Sequence, residues 1–84
     1  MSRAPDVRRI LAEIVSRKDP QGYYVVPVRL SGSRLRLEEL EKLAASLGAS
    51  VEQVGDVVLL RVKSRRAAAR LVENLLKAGA ELGA

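Results

Sequence analysis

Val51-Glu52-Gln53-Val54-Gly55-Asp56-Val57-Val58-Leu59-Leu60-Arg61-Val62-Lys63 reads as two β-prone runs joined by a two-residue loop. Gly55 can take the positive φ that tight hairpin turns demand, and valine and leucine suit a pleated, half-buried surface. The segment therefore predicts an antiparallel hairpin. Because side chains alternate along a strand, Val58, Leu60 and Val62 share one face, while Val57, Leu59, Arg61 and Lys63 share the other.

Upstream, Tyr23–Leu30 is again β-branched and aromatic. Its even positions, Tyr24, Val26, Val28 and Leu30, make an apolar face, and its odd positions, Tyr23, Val25, Pro27 and Arg29, make a mixed one. Pro27 has no amide to donate, which predicts an edge strand. If the two apolar faces join, a second sheet face remains, carrying Tyr23, Val25, Pro27, Arg29, Val57, Leu59, Arg61 and Lys63.

Helical spacing surrounds these strands. Val7, Ile10, Leu11, Ile14 and Val15 recur at three and four residues, predicting a helix over 5–17 that ends at the turn-forming Asp19-Pro20-Gln21-Gly22. Leu37, Leu40, Leu43, Ala44 and Leu47 mark a second helix, with Glu38 and Glu39 at its positive end and Gly48 after it. Ser64 is placed to cap a third, whose buried stripe is Ala68, Leu71, Val72, Leu75 and Leu76. The tail after Gly79 is expected to fray. The fold class that follows is α+β: one domain over residues 1–84, with a small three-stranded, mainly antiparallel sheet and an α-β-α-β-β-α order.

Composition restricts function. The 84 residues contain no cysteine and no histidine, which removes disulfides, thiolate zinc sites and the commonest general base. The glycines are scattered singly, so no phosphate loop, dinucleotide fingerprint or serine elbow exists. Asp6, Asp19, Glu52 and Asp56 show no spacing that would gather a divalent cation. These observations predict a protein that binds rather than catalyses, with no cofactor, no metal and no small-molecule substrate. The polar start, Met-Ser-Arg-Ala-Pro-Asp, has neither a signal nor a membrane-spanning pattern, so a cytoplasmic location is expected. A single asparagine and the excess of arginine over lysine suggest a thermophilic source. A purely aliphatic core in so short a chain favours a homo-oligomer, since association buries further apolar surface.

The formal charge is +5, and its distribution is uneven. Arg61, Lys63, Arg65, Arg66 and Arg70 have no acidic residue between Asp56 and Glu73. Arg65 and Arg66 would lie in the first turn of the third helix, where the macrodipole disfavours cations and a bound phosphate would reverse that effect. Arg29, Arg34 and Arg36 form a second acid-free run around the Ser31-Gly32-Ser33 loop. Tyr23 on the mixed face could stack a base while cations track phosphates, the combination used by single-strand binders. Two alternatives stand beside this. Long cations can simply splay into water, and the mixed face can be covered by the first helix or by another subunit.

With this element order, this size, no cysteine or histidine, and the segments Gly22–Arg36 and Arg61–Arg70, the chain resembles the ThermoDBP-related single-stranded-DNA-binding proteins of hyperthermophilic archaea. The resemblance implies a compact α/β domain that oligomerises and holds single-stranded DNA in basic clefts or between subunits. The function expected is binding of single-stranded nucleic acid, DNA rather than RNA, with little base preference, by a homo-oligomer. The candidate binding residues, taken from the sequence reading alone, are Tyr23, Arg29, Arg34, Arg36, Arg61, Lys63, Arg65, Arg66 and Arg70. The alternative function is an interaction or assembly subunit of a larger protein or ribonucleoprotein complex.

Overall fold

The computed structural model describes residues 18–83 together with Arg9, and its elements run β1 (Tyr24–Arg29), α1 (Leu37–Ser46), β2 (Ser50–Val54), β3 (Val57–Val62), α2 (Arg65–Lys77) and β4 (Glu81–Leu82). The helix expected over 5–17 lies outside the described residues. Val54 pairs with Val57 across Gly55-Asp56. Gly55 has φ +61° and no non-glycine residue among those described has a positive φ, so the turn follows the type II′ pattern, with the glycine at its first central position.

All strand pairings are antiparallel, in the order β2-β3-β1-β4. It follows that β1 runs parallel to β2 with β3 between them, and β3 runs parallel to β4 with β1 between them. Two β-α-β units are thus interleaved, each split by a strand of the other. This is the split β-α-β, or ferredoxin-like, arrangement. The sheet has four strands where three were expected, because the tail does not fray. Gly79, at φ +91°, reverses the chain after α2, and Ala80 N–H donates to Leu75 C=O at 2.9 Å, the six-to-one bond of a Schellman motif. Leu82 and Glu81 then pair with Val28 and Arg29.

That tail also corrects the edge assignment for β1, which is a central strand. It pairs with β3 along its whole length and with β4 at its end. Proline is tolerated there for a local reason. Pro27 C=O accepts from Gly83 N–H at 2.9 Å, so its nitrogen, which has no hydrogen to give, faces β4 where that short ladder terminates. The edges belong instead to β2 and β4.

The expected parity of β1 and β3 holds. Tyr24 lies opposite Val62, Val26 opposite Leu60 and Val28 opposite Val58, and all six are buried in one cluster with side chains of α1 and α2. Leu40 and Ala44 from α1, and Ala68, Leu71, Val72 and Leu75 from α2, complete this core; Leu30, Leu76 and Leu82 pack at its margin. No polar or charged side chain is buried among the described residues. Each fully buried valine or leucine contributes about 1.5–3 kcal/mol of gross transfer free energy, so the aliphatic core is the main source of stability.

The loop between β1 and α1 is held at both sides. Asp56 accepts from the amide and the hydroxyl of Ser31. Ser33 Oγ donates to Arg29 C=O at 2.6 Å and accepts from Glu81 N–H at 2.8 Å. Arg34 N–H donates to Gly79 C=O at 2.9 Å, and a Cβ at position 79 would stand 3.1 Å from Arg34 Cβ. Gly79→Ala therefore meets two penalties, a left-handed backbone costing about 1–2 kcal/mol and a displaced Arg34 stem. We expect a loss of that order in denaturant titration, with hydrogen exchange accelerating first at the Glu81 and Gly83 amides; unchanged exchange there would show that β4 does not depend on this reversal.

Candidate functional site

Position along β1 separates the candidate residues into two groups. Tyr23 and Lys63 lie at the end where Tyr24 meets Val62, whereas Arg29 lies at the end where β1 meets Val57 and Glu81. Five residue steps along a strand place these ends about 17 Å apart. Arg34 and Arg36 belong to the Arg29 end. Arg34 rests on Gly79, and Arg36 occupies the N-cap position of α1, its amide donating to Glu39 Oε1 at 3.0 Å. The Ser31-Gly32-Ser33 loop, tied to Asp56 and Glu81, is a connection anchored at both sides. No single site gathers all nine residues.

The Tyr23 end is different, because several elements converge on it. Asp19 N–H donates to Tyr23 C=O at 2.9 Å, Gly22 N–H closes the turn onto Asp19 C=O at 2.9 Å, and Asp19 Oδ1 accepts from Tyr23 N–H at 2.8 Å. The backbone of Tyr23 is thereby fixed just before β1 begins. Tyr23, with Arg61, Lys63, Ser64, Ala67 and Leu47, lines a cleft of about 350 Å³. A second depression of about 260 Å³ adjoins it, sharing Leu47, Ser64 and Ala67 and adding Ser46, Arg66 and Arg70. The two form one trough between the end of α1 and the start of α2. None of the described residues lining it is acidic.

Local sequence explains this convergence. Ser64 caps α2, its Oγ accepting from Ala67 N–H at 3.0 Å, so the helix starts immediately after Ser64 and brings Arg66 and Arg70 to the trough. Arg65, the first residue of α2, is exposed beside it without lining it. The first turn of α2 carries no acid, and the last turn of α1 carries no base. Arg66 and Arg70 share the second depression with Ser46 and Leu47, at the negative pole of α1. That pole offsets part of the unfavourable field that α2 exerts on its own arginines.

Arg61 is not a free cation. Its Nη1 lies 2.6 Å from Glu52 Oε1 and its Nε 3.7 Å from Asp19 Oδ2. Neither partner stands at helical spacing from Arg61 in the sequence, yet the hairpin register holds the signal for one. Ser50 lies opposite Arg61 and Glu52 opposite Leu59, so Glu52 is the diagonal neighbour of Arg61 on the same face. Lys63 has a different partner, its Nζ standing 5.4 Å from the centroid of the Tyr23 ring. Tyr24, one residue on, faces the core with Lys18 Nζ 4.8 Å from its ring.

Among the described residues no group of three or more carboxylates could hold a metal ion, and no helix is long and apolar enough to cross a membrane. No family model matches the chain, and no curated protein or solved structure is detectably similar to it.

The Arg61–Glu52 pair is partly exposed, with side-chain exposures of 27% and 54%, so solvent screens it. A double-mutant cycle on Arg61→Ala and Glu52→Ala should return a coupling of about 0.2–1 kcal/mol that shrinks as salt rises. A larger, salt-independent coupling would mean that the pair organises the sheet end.

Proposed function

We propose that the chain binds single-stranded nucleic acid through the trough between α1 and α2, with Tyr23 as a base-stacking residue and Lys63, Arg66 and Arg70 as phosphate contacts. The observation that carries this reading is the trough itself, lined by no acidic residue among those described, which brings one aromatic residue together with three cations that form no salt bridge among the described residues. Stacking on an aromatic face is tolerant of base identity, and cations along a groove follow a phosphate backbone, so the ligand class is a strand of any sequence. A four-stranded sheet of this connectivity also underlies RNA-recognition modules, which stack bases on the open sheet face. That parallel is one of fold alone. Here the centre of the corresponding face holds Val25, Pro27, Val57 and Leu59, leaving Tyr23 at its end as the stacking residue.

Arg61 is secondary in this reading because Glu52 and Asp19 already neutralise it, and Arg29, Arg34 and Arg36 belong to the far end of the sheet. A competing reading, an assembly subunit, draws on the edge strand β2, where Val54 is 56% exposed and backbone groups are open to strand addition. The small aliphatic core also supports self-association; sedimentation at high micromolar concentration measures this directly.

Fluorescence-anisotropy titration of a labelled oligonucleotide at several salt concentrations tests the reading. Lys63→Ala, Arg66→Ala and Arg70→Ala should each lower the slope of log K against log salt by about 0.7, as one fewer condensed counterion is released. Arg29→Ala and Arg34→Ala should leave it unchanged. Arg65→Ala with Arg66→Ala should weaken binding while the domain stays folded. Equal effects from both ends of the sheet would replace the trough with diffuse attraction, and an absence of binding favours the assembly reading.

A further inference from the structure

From the position of its ammonium against the Tyr23 ring, we infer that Lys63 is a displaceable cap on the base-stacking subsite, which a base must push aside and a phosphate must then receive. The inference rests on the trough being a nucleic-acid site and adds to it a coupling between two of its residues. Lys63 Nζ lies 5.4 Å from the ring centroid, within the distance at which an ammonium is held by the ring quadrupole. Tyr23 immediately precedes β1 and Lys63 immediately follows β3, next to the terminal pair of Tyr24 with Val62. They directly flank the last pair of that ladder, so the contact lies at its end, one residue outside each strand.

The ring cannot hold an ammonium and a base on the same face. Tyr23 is anchored at its amide by Asp19, so the side chain that yields is Lys63, which is exposed and has a flexible four-carbon stem. A strand supplies both halves of the exchange. Its base takes the ring, and its phosphate takes the released ammonium, so the lost cation–π contact is replaced by an ion pair. A nucleoside supplies only the first half. Its base displaces the ammonium and offers nothing in return, so Lys63 opposes nucleoside binding while favouring strand binding. The cap thus discriminates for polymer and against free nucleosides at the same subsite.

The decisive result is opposite signs from a single substitution. Thymidine binding is followed by NMR through the Tyr23 ring resonances, and oligothymidylate binding by anisotropy at fixed salt, in the intact chain and in Lys63→Gln and Lys63→Arg. Lys63→Gln should bind thymidine about two- to fivefold more tightly, the ratio that matches an exposed cation–π contact, and bind the oligonucleotide more weakly with a reduced salt slope. Lys63→Arg keeps a cation on the ring and should restore both values. Preserved amide dispersion in each variant confirms folding. Thymidine binding that is unchanged or weaker in Lys63→Gln overturns the cap. So does an oligonucleotide that binds without shifting the Tyr23 ring, although that outcome leaves the basic trough intact. Failure of the intact chain to bind the oligonucleotide at any salt overturns the cap together with the nucleic-acid reading.

Discussion

The pairing of Val26 with Leu60 assigns every side chain of the two central strands to a face. A slip of one residue would carry Val26 and Val28 out of the core and turn Tyr23, Val25, Pro27 and Arg29 toward α1 and α2. Nothing in the helices could absorb a guanidinium there, since Leu40, Ala44, Leu71, Val72 and Leu75 are closed to solvent. Register is therefore enforced by desolvation as much as by hydrogen bonding, because an unpaired buried charge is far more costly than a lost valine contact. The same parity puts Tyr23 and Lys63 side by side at the lip of the trough. Core and candidate site are two consequences of one alignment.

What the sequence makes legible follows from how local each signal is. Alternation in 57–63 and 23–30 and the three-four spacing in 37–47 and 64–76 depend on neighbours within a few residues, and they identify these two strands to within a residue, their faces and the two described helices. β4 carries no such signal. Glu81-Leu82 is too short to alternate, and it becomes a strand because Gly79 reverses the chain and β1 offers an unpaired side there. Pro27 was informative about chemistry and misleading about position: its missing donor does mark the limit of a ladder, but on one side of a central strand. The ion pairs of Arg61 show the same limit in electrostatics, since Asp19 and Glu52 come near it only through the sheet.

The charge pattern has a spatial logic that composition conceals. Acidic side chains gather behind Arg61, at Asp19 and Glu52, and along the exposed start of α1, at Glu38 and Glu39. Lys63, Arg66 and Arg70 are left on the other side of Arg61, beside the carbonyl end of α1. Arg61 thus separates its two carboxylate partners from the cations of the trough.

The interleaving of the two β-α-β units also determines how the molecule can come apart. β1 and β2 are neighbours of β3 and not of each other, and β3 and β4 are separated by β1. Neither unit owns a complete sheet, and removing either one strips both central strands of a partner. No partly folded form can retain one unit and release the other without exposing Val26, Val28, Val58 and Leu60 together. Opening of this core is therefore expected to be all-or-none, with sub-global opening among the described elements at the margins, β4 and the β2 edge. In a chain this short, such indivisibility replaces size as the source of cooperativity.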